Sequence, residues 1–556
     1  MIQTFERRWD GESLLVAALA ACLSIIAFLF CMHRGYVLLF GDAVAHINIA
    51  RRIFDSRTPG LLQLGTVWLP LPHLLIAPFI ASMAAWRSGA GGSIPSIVSY
   101  VLACVGLFRL VRGALAGNGQ SDLAGKVTAW LAVSTFALNP NFLYMQSTAM
   151  TEPIYLALFI WSIVFFCEFV QAARASDQIA GSKSLLKSGV CVAAAELTRY
   201  DGWFLAATLA VIVLILRFGP RHLRGGSARI QVPLLKFLVI VSAVPVLWLA
   251  YNAVIYRNPL EFANGPYSAR AIERKTSVPG SPPHPGANNL LLASEYVVKA
   301  GESNLAEGGL QKVWVIASIA GTLLTLALGT RLRPLLLLWI PLPFYALSVA
   351  YGSVPIFLPD WWPFSYYNVR YGLQLLPAAV VFTALISHYL GSLVPSRVAQ
   401  ILVCAGIAVF IAASYYSVAK ASPVSFREAW FNGRIRIALE KGIATQLRQL
   451  PASATILMYL GEHVGALQDA GIPLRRTINE ADHRTWRQPF DPQGLWESAL
   501  ANPSAYADYV VAIGSDPVAV AIQPQQLHTI AIIDVRGQPR ATIYRTDKHP
   551  SPQNQR

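Results

Sequence analysis

Long apolar runs are the feature that most limits how this chain can fold. Segments long enough, or nearly long enough, to cross a bilayer recur between residues 12 and 418 of the 556-residue sequence. They lie at about 12–32, 66–86, 93–113, 126–141, 150–170, 184–198, 201–217, 234–256, 312–330, 334–351, 372–391 and 398–418. A transmembrane helix needs about 20 mostly apolar residues, and only 13% of this chain is charged, about half the share in soluble proteins. The sequence therefore predicts an α-helical protein that crosses a membrane many times.

The charge balance indicates topology and gives no reason to expect a nucleic-acid partner. The chain carries 44 Lys and Arg against 29 Asp and Glu, a net charge of +15. Many of the basic residues lie in short loops between apolar runs, as the positive-inside rule expects of a membrane protein. All six cysteines lie within apolar runs without Cys-x-x-Cys spacing, so neither a disulfide framework nor a zinc site is indicated. The first run is too long for a signal peptide and predicts a retained helix.

The densest basic loop sets the orientation of the predicted helices. It extends from Arg217 to Lys236 and is assigned to the cytoplasm by the positive-inside rule. Counting crossings from this loop places 257–311, 352–371 and everything after 418 on the outer face. An arginine pair near the N terminus favours an inner start of the chain.

One apolar run conflicts with this count. Three runs separate two outer segments that require an even number of crossings between them. The run at 66–86 contains Pro70, Pro72, Pro78 and His73, so its backbone is expected to be broken and either buried in protein or re-entrant. About eleven crossings result, within a range of 11–13. The membrane domain is predicted at 1–419, with outer loops at 33–92, 257–311 and 352–371.

The sequence changes character after about residue 420. Four short β-type runs begin at Thr455, Tyr509, Thr529 and Ala541. A helical stretch at 462–470 ends at Gly471 in the manner of a helix C-cap. The segment 420–556 is therefore predicted to be a small soluble α/β domain on the outer face. No Walker or Rossmann glycine pattern is present in the sequence.

Function is best sought where ionisable residues collect on one side of a membrane, and four outer segments collect them. The first segment follows the first helix and contains Asp42 and His46. At 100° per residue these two residues lie on one stripe of a helix, on the side expected to pack against protein. Two structural explanations compete: Asp42 can cap the helix, and His46 can be a buried histidine with satisfied hydrogen bonds.

The second and third segments carry further charged residues. Glu152 precedes a proline at the start of a helix, a position that the helix dipole alone favours for an acidic side chain. The third segment joins two apolar runs and contains Glu196, Arg199 and Asp201. An internal ion pair of Arg199 with either carboxylate is its structural explanation.

The fourth segment, at 360–371, is rich in aromatic residues. Its tryptophans and tyrosines, among them Tyr367 and Tyr371, are expected to form mainly an interfacial aromatic belt. Arg370 needs another explanation, because a guanidinium group at the start of an apolar helix requires an anion.

Charged residues that are far apart in sequence are thus predicted on one face of the membrane. They are three carboxylates, one histidine and two arginines: Asp42, Glu152, Asp201, His46, Arg199 and Arg370. This set suits attack of an acceptor hydroxyl on a sugar phosphate. A carboxylate accepts the proton, and the arginines bind the departing phosphate, which then needs no acid.

Four short motifs follow one another along the membrane region. They are Gly41-Asp42-Ala after the first helix, the proline-rich segment from Trp68 to His73, the stretch from Asn139-Pro140 to Glu152, and the late-helix start from Arg370 to Pro377. This order resembles the GT-C superfamily of integral-membrane glycosyltransferases. That superfamily includes protein O-mannosyltransferases, lipid A aminoarabinose transferases and the catalytic subunits of oligosaccharyltransferases.

The resemblance implies roles for individual residues. Asp42 is the expected base that activates the acceptor, and Glu152 is the expected second acidic residue of the site. The expected substrate-binding or phosphate-binding residues are His46, Arg199, Asp201, Tyr367, Arg370 and Tyr371. Asp42 lacks the acidic neighbour found in many members, and Glu152 stands where Asp is frequent. The need for a divalent metal is therefore left open, with His46 available as a ligand.

The sequence is accordingly expected to encode an inverting glycosyltransferase embedded in the cell membrane. The donor is a sugar linked to undecaprenyl or dolichyl phosphate, and the acceptor is a glycan, lipid or protein at the outer face. A lipid-linked glycan flippase or other transporter is the second hypothesis, and it should have charged sites near the bilayer midplane. A non-catalytic membrane scaffold, with a partner-binding C-terminal domain, is the third.

Overall fold

The structure is a computed structural model of a largely helical chain. It describes residues 10–116, 122–219, 234–276, 280, 282–328, 332–393, 397–482, 494–523 and 527–547. Most of the basic loop that sets the predicted orientation, at 220–233, lies outside the described residues.

Helices account for nearly all regular structure before residue 450. In the first half they are α1 (Gly11–Arg34), α2 (Gly41–Arg52), α3 (Leu71–Ile76), α4 (Met83–Ser88), α5 (Ala90–Leu115), α6 (Asp122–Ala137), α7 (Pro140–Gln146), α8 (Glu152–Arg174), α9 (Gln178–Glu196), α10 (Asp201–Phe218) and α11 (Leu234–Tyr256). They continue as α12 (Glu261–Asn264), α13 (Ala269–Thr276), α14 (Leu290–Leu305), α15 (Gly309–Leu328), α16 (Pro341–Tyr351), α17 (Leu376–Leu393), α18 (Arg397–Ala421) and α19 (Val424–Leu447). Short 3-10 turns lie at Leu61–Leu64, Ala77–Ile80, Arg333–Trp339 and Val369–Leu375.

Nine helical segments among the described residues are long and apolar enough to cross a membrane. They are Gly11–Arg34, Ala90–Leu115, Glu152–Arg174, Asp201–Phe218, Leu234–Tyr256, Gly309–Ala327, Arg333–Tyr351, Val369–Leu390 and Ile401–Leu447. α6 has only 16 residues, and α9 has Lys183 and Lys187 within its 19 residues; both pack among the longer helices. The prediction of a helical membrane protein with many spans is confirmed, whereas the number eleven stays a prediction.

The burial of these helices shows where lipid is expected and where the core lies. The central part of α8 is 78% buried and that of Val369–Leu390 is 89% buried, so both are enclosed by protein. The corresponding parts of α1 and α11 are only 22% and 28% buried and carry apolar side chains outward. Lipid is therefore the solvent for the outer helices.

Ion pairs between the ends of helices distinguish the two ends of the bundle. The carboxylate of Glu12, at the start of α1, lies 3.8 Å from the Arg112 guanidinium near the end of α5 and 4.0 Å from the Lys126 ammonium in α6. Arg109 lies 3.6 Å from Glu168 near the end of α8. The start of α1, the end of α5, the start of α6 and the end of α8 therefore share one end of the bundle. The starts of α2, α8 and α10, which line a common cavity, lie at the other end.

The proline-rich run at 66–86 is not one helix. It is divided into α3, the 3-10 turn at Ala77–Ile80 and α4. Pro72 and Pro78 lie in the first turns of α3 and of the 3-10 turn, where a missing backbone N–H is tolerated. His73 is fully buried. The predicted interruption of this run is confirmed.

The end of the chain forms a five-stranded mixed sheet with short helices. Its elements are β1 (Ile456–Met458), α20 (Gly465–Ala470), β2 (Thr477–Ile478), α21 (Leu495–Ala501), α22 (Pro503–Tyr506), β3 (Tyr509–Ile513), α23 (Pro517–Ile522), β4 (His528–Ile533) and β5 (Ala541–Arg545). The strand order is β2-β1-β3-β5-β4, with β1 parallel to β2 and β3 and with β5 antiparallel to β3 and β4. Gly471 ends α20 in the left-handed conformation at φ 74°. Four strands match predicted runs, and the two-residue β2 was not predicted.

A buried polar network joins this sheet domain to α2. The Asn48 side chain donates to Gln468 Oε1 at 2.7 Å, and Gln468 donates to the Trp86 backbone carbonyl at 2.7 Å. The Trp86 indole donates in turn to Asn48 Oδ1 at 3.1 Å. Because these groups are buried and satisfied, the sheet domain fixes the position of α2.

α19 is a 24-residue helix that the sequence-based assignment did not include. It lies between the last apolar run and the sheet domain and packs against α20, α7 and the 3-10 turn at Val369–Leu375. Arg436 donates to the Leu38 and Leu39 carbonyls at 3.0 and 3.1 Å, so α19 also holds the chain just before α2. The predicted boundary between residues 419 and 420 stays a prediction.

The close packing of α15 against α17 predicts a steric effect of substitution. A Cβ atom on Gly321 would lie 1.9 Å from the carbonyl oxygen of Phe382, whereas one on Gly406 in α18 would meet no atom within 4 Å. We expect Gly321→Ala to reduce stability by about 1–3 kcal/mol through overpacking. The matched Gly406→Ala should be neutral or stabilising by up to about 1 kcal/mol. Thermal unfolding of the purified protein in detergent measures both, and equal effects would contradict this packing.

Candidate functional site

A large cavity opens at the end of the bundle where α2, α8 and α10 begin. Its volume is about 1690 Å³. The wall includes the residues before α3, the 352–371 segment, the region of α12 and α13, and the segments that follow β1 and β2 in the sheet domain. All eight residues proposed from sequence line it: Asp42, His46, Glu152, Arg199, Asp201, Tyr367, Arg370 and Tyr371.

α2 presents Asp42 and His46 to this cavity on successive turns. The opposite side of the helix is buried, with Ala43, Ile47 and Ala50 fully inaccessible. This pattern of buried small and apolar residues fixes the rotation of α2. Asp42 makes no capping hydrogen bond to the helix. Its carboxylate lies 2.5 Å from the Arg370 guanidinium instead, so capping does not explain its presence.

The Arg370 guanidinium contacts three carboxylates. Besides Asp42, it lies 3.4 Å from Glu152 and forms a short ion pair with Glu428 of α19. Glu428 also accepts the backbone N–H groups of Asn368 and Arg370, each at 3.0 Å. Glu428 therefore fixes both the side chain and the backbone at the start of this late helix.

Glu152 connects Arg370 to the second arginine. The Arg199 guanidinium lies 3.1 Å from Glu152 and 3.4 Å from Asp201, and it donates to the Tyr345 hydroxyl at 2.9 Å. Tyr345 donates in turn to Asp201 at 2.9 Å. The ion pair of Arg199 with Asp201 that was one structural explanation of this segment is present.

Glu196, the alternative partner considered for Arg199, forms no ion pair with it in the described chain. Both carboxylate oxygens of Glu196 are buried without a hydrogen-bond partner among the described residues. Arg199 points instead toward Glu152, which lies 47 positions away in sequence. The third segment is therefore linked to the second and is not closed on itself.

Tyr371 lies between the two arginines. The guanidinium carbons of Arg199 and Arg370 each lie 5.1 Å from the centre of its ring. Both are within the range of a cation–π interaction. Tyr367 also lines the cavity, and its carbonyl accepts the Phe357 N–H at 2.9 Å. Tyr371 thus organises the site and is not a member of an interfacial belt.

His46 is buried against aromatic and basic groups. Its Nδ1 lies 3.0 Å from Nε2 of His73, and the Trp68 ring centre lies 4.6 Å from its own. Burial, and to a lesser extent the nearby charges of Arg199 and Arg370, lowers the pKa of His46 from 6.5 to about 3. His46 is therefore neutral at physiological pH.

The centre of the site contains more carboxylates than guanidinium groups. Two guanidinium groups face four carboxylates, those of Asp42, Glu152, Asp201 and Glu428. Arg270 on α13 also lines the cavity; it is exposed and has no ion pair within the described ranges. Arg52 lies 3.9 Å from Glu480.

Glu428 and Arg270 are two of the charged residues that sequence reasoning missed; Arg52, Glu273, Arg436, Glu462 and Glu480 also line the cavity. Glu428 follows the last apolar run, in a segment assigned to the soluble domain, and only its contact with Arg370 reveals its place. Arg270 lies in a predicted outer loop without a recognisable motif. Its charge on an outer segment was the one available signal.

The acidic and histidine side chains that the structure describes at the cavity are directed to protein partners. In the part of the chain that the structure describes, no group of three or more His, Cys, Asp or Glu side chains is arranged to hold a metal ion. The Nδ1 atom of His46 is directed to His73, and Asp42 is directed to Arg370.

The whole chain resembles solved membrane glycosyltransferase structures. ArnT from Cupriavidus metallidurans bound to undecaprenyl phosphate matches with a TM-score of 0.59 at 15% identity, covering 96% of this chain and 98% of that chain. Its apo form gives a TM-score of 0.56 at 14% identity, covering 96% and 97%. An Archaeoglobus fulgidus oligosaccharyltransferase tethered with an acceptor peptide gives 0.46 at 12% identity, covering 92% and 69%. No family model matches the sequence, and a search of curated proteins found no match. The chain therefore shares the fold of the ArnT structures, a fold that its motifs predicted.

The buried contacts of Glu428 predict a large effect of removing it. Glu428→Ala leaves a buried guanidinium group short of one anion and two backbone N–H groups without an acceptor. We expect a loss of about 3–5 kcal/mol in the free energy of unfolding. Glu428→Gln keeps an acceptor and should lose less. Glu295→Ala, on the exposed side of α14, is the control in thermal unfolding, and equal losses in Glu428→Ala and Glu295→Ala would contradict the assigned contacts.

The neutral state of His46 predicts that acid destabilises the fold. Because the folded pKa is about 3 and the unfolded value is 6.5, the unfolded chain binds a proton below pH 6.5 that the folded protein excludes. The contribution is fully present above pH 6.5 and decreases by about 1.4 kcal/mol per pH unit as the pH falls toward 3. Between pH 7 and pH 5 the free energy of unfolding of wild type should decrease by about 2 kcal/mol more than that of His46→Asn. Identical pH dependence of the two proteins is the contrary result.

Proposed function

We propose that this chain is an inverting glycosyltransferase that moves a sugar from a polyprenyl-phosphate carrier to an acceptor at the outer membrane face. The observation that carries this proposal is the meeting of Asp42, Glu152, Arg199, Asp201 and Arg370 in one cavity. These residues come from segments that are separated by up to 328 positions. The GT-C fold, shared with an ArnT that was crystallised with undecaprenyl phosphate, supports a lipid phosphate as the donor's carrier.

Asp42 is the proposed base. It is the most accessible of the four carboxylates at the centre, with 41% of its side chain exposed against 0–2% for the other three. An acceptor hydroxyl oxygen attacks the anomeric carbon of the sugar, and its proton passes to Asp42. The bond from the anomeric carbon to the phosphate oxygen breaks, and the oxygen leaves with the electron pair. Entry opposite to the leaving group inverts the anomeric configuration.

Arg370 and Arg199 are proposed to organise the carboxylates. Arg370 orients Asp42 through its 2.5 Å contact, and Glu152 connects it to Arg199. Because both guanidinium groups are already paired with carboxylates, the departing phosphate needs additional positive charge. Arg270 lines the same cavity with an exposed side chain, and we assign the phosphate contact to it together with the outer parts of the two arginines.

Charge distribution supports an outer position for the cavity. Arg112 and Lys126 lie at the opposite end of the bundle, where both contact Glu12 at the start of α1. Loops rich in Lys and Arg are usually cytoplasmic. The cavity and the sheet domain that lines it are therefore proposed to face the outside of the cell membrane.

The position of the charged residues also separates the alternatives. A flippase or other transporter is expected to bind its substrate near the bilayer midplane. Here Glu152 and Asp201 are the first residues of α8 and α10, at one end of the bundle. A non-catalytic scaffold would give no reason for ion pairs that converge on a large cavity.

Transfer by reconstituted protein tests the proposal. In lipid nanodiscs with a panel of undecaprenyl-phosphate and dolichyl-phosphate sugars, wild type should release or transfer sugar. Asp42→Asn should reduce turnover by about 100-fold or more, since general-base catalysis contributes that much. Glu152→Gln should also reduce it, because both arginines lose a shared anion. Asp534→Asn is the matched control, because Asp534 pairs with Arg540 at an exposed position outside the cavity.

Two results would contradict the proposal. Full turnover by Asp42→Asn would remove the assigned base. Movement of intact lipid-linked sugar between leaflets, with no bond cleavage by wild type, would favour the transporter hypothesis.

A further inference from the structure

The lipid-facing side of α1 continues onto α19 through a row of aromatic rings. Phe30, one turn before the end of α1, is 55% exposed. Its ring centre lies 6.3 Å from that of Tyr36, and the Tyr36 ring centre lies 4.7 Å from that of Phe426 and 6.3 Å from that of Trp430, both in α19. We refer to these four residues as the α1–α19 surface. Because this surface is continuous with a helix that lipid surrounds, lipid is its expected occupant.

The length of α1 places this surface at the level of the lipid headgroups. Its 24 residues span about 36 Å, enough to cross a hydrocarbon core of about 30 Å. α1 starts at the end of the bundle opposite the cavity, where Glu12 faces Arg112, so Tyr36 lies at the cavity end. Tyrosine and tryptophan are enriched at membrane–water interfaces. Trp430, which is 43% exposed, is therefore placed at the interface on the cavity side.

Three basic residues border the α1–α19 surface. Arg34 ends α1, Lys420 lies in the last turn of α18, and Arg434 lies one turn after Trp430 on α19. All three are exposed, and none forms an ion pair within the part of the chain that the structure describes. The Arg34 guanidinium carbon lies 5.6 Å from the centre of the Phe30 ring, so its positive charge is held at the edge of the surface.

The acidic residues of α19 are directed away from this surface. Glu428 is buried and paired with Arg370, and Glu440 is buried and paired with Arg436. At 100° per residue, Trp430 lies about 160° around the helix from Glu428. One side of α19 therefore holds the arginine at the centre of the site, while the other side presents an aromatic ring and unpaired positive charge.

We propose that the α1–α19 surface, with Arg34, Lys420 and Arg434, binds the headgroups of anionic phospholipids on the cavity side of the membrane. The basic groups pair with the lipid phosphate, and the aromatic rings cover the region between the headgroup and the acyl chains. A second copy of this chain is a poorer occupant, because the basic residues of the two copies would face each other. None of these residues lines the cavity, so the site is separate from the proposed transfer reaction.

A lipid bound here also supports the catalytic cavity. Trp430 and Glu428 lie on nearly opposite sides of α19, so contacts with headgroups fix the helix that holds Arg370. Phosphatidylglycerol should accordingly raise the unfolding temperature of wild type above its value in phosphatidylcholine nanodiscs. The difference should become smaller when Arg34, Lys420 and Arg434 are replaced together by Gln. An unchanged difference in that triple variant would overturn the proposal.

Native mass spectrometry of the full chain in detergent tests the preference for anionic lipid. Wild type should bind phosphatidylglycerol more tightly than phosphatidylcholine. A basic residue near the lipid surface contributes about fivefold in affinity, so Arg434→Gln should weaken phosphatidylglycerol binding by up to about fivefold and leave phosphatidylcholine binding unchanged. Arg545→Gln, at an exposed position on β5, is the matched control. Equal affinity of wild type for the two lipids, or an equal loss in Arg434→Gln and Arg545→Gln, would overturn the proposal.

Fluorescence quenching by brominated phosphatidylglycerol in nanodiscs locates the bound lipid. Trp430→Phe should remove part of the quenched emission, because the Trp430 ring meets the lipid. Trp496→Phe should leave the quenched part unchanged, since Trp496 is 6% exposed within the sheet domain. Equal quenching in wild type and Trp430→Phe would overturn the proposal, as would a dimer that Trp430→Ala dissociates. None of these measurements requires sugar transfer, so they remain decisive if the proposed function fails.

Discussion

The enclosed guanidinium group of Arg370 is the interaction on which the arrangement of this site depends. It contacts Asp42 from α2, Glu152 from α8 and Glu428 from α19. A buried cation without an anion is strongly destabilising, so these three elements must converge wherever Arg370 is placed. The early helix, the central helix and the link to the sheet domain are therefore fixed relative to one another by one side chain. The cavity lies beside that junction, which explains why the ionisable residues collect at one end of the bundle.

The sheet domain contributes to the same arrangement from the other side of α2. The network of Asn48, Trp86 and Gln468 holds the helix that carries Asp42 and His46. Arg436 of α19 holds the chain that enters this helix. Because the C-terminal elements fix α2 at both places, they act as part of the site and are not an independent appendage. The segments that follow β1 and β2 also form part of the cavity wall.

Sequence reasoning was effective where a local pattern carries the physical cause. Apolar length predicts the membrane helices, and the prolines of the 66–86 run predict its break. Charge on outer segments led to the residues that line the cavity. It could not supply Glu428, because the need of Arg370 for a second buried anion is visible only when the two segments, 58 positions apart, are brought together. The pairing of His46 with His73 and the two-residue strand β2 likewise depend on tertiary contacts that no local pattern encodes. Because these tertiary contacts are not visible in the sequence, Arg199 and Arg370 were both expected to bind phosphate, whereas the structure pairs them with carboxylates.

The central claim is that lipid phosphate and the Asp42–Arg370 pair share one cavity. An electron cryomicroscopy map of the protein in nanodiscs with undecaprenyl phosphate tests it most directly. The account predicts phosphate density inside this cavity, next to Arg270 and within reach of a sugar placed at Asp42, with Arg370 still in contact with Glu428. Phosphate density at another surface, or Asp42 and Arg370 separated and facing different regions, would contradict it.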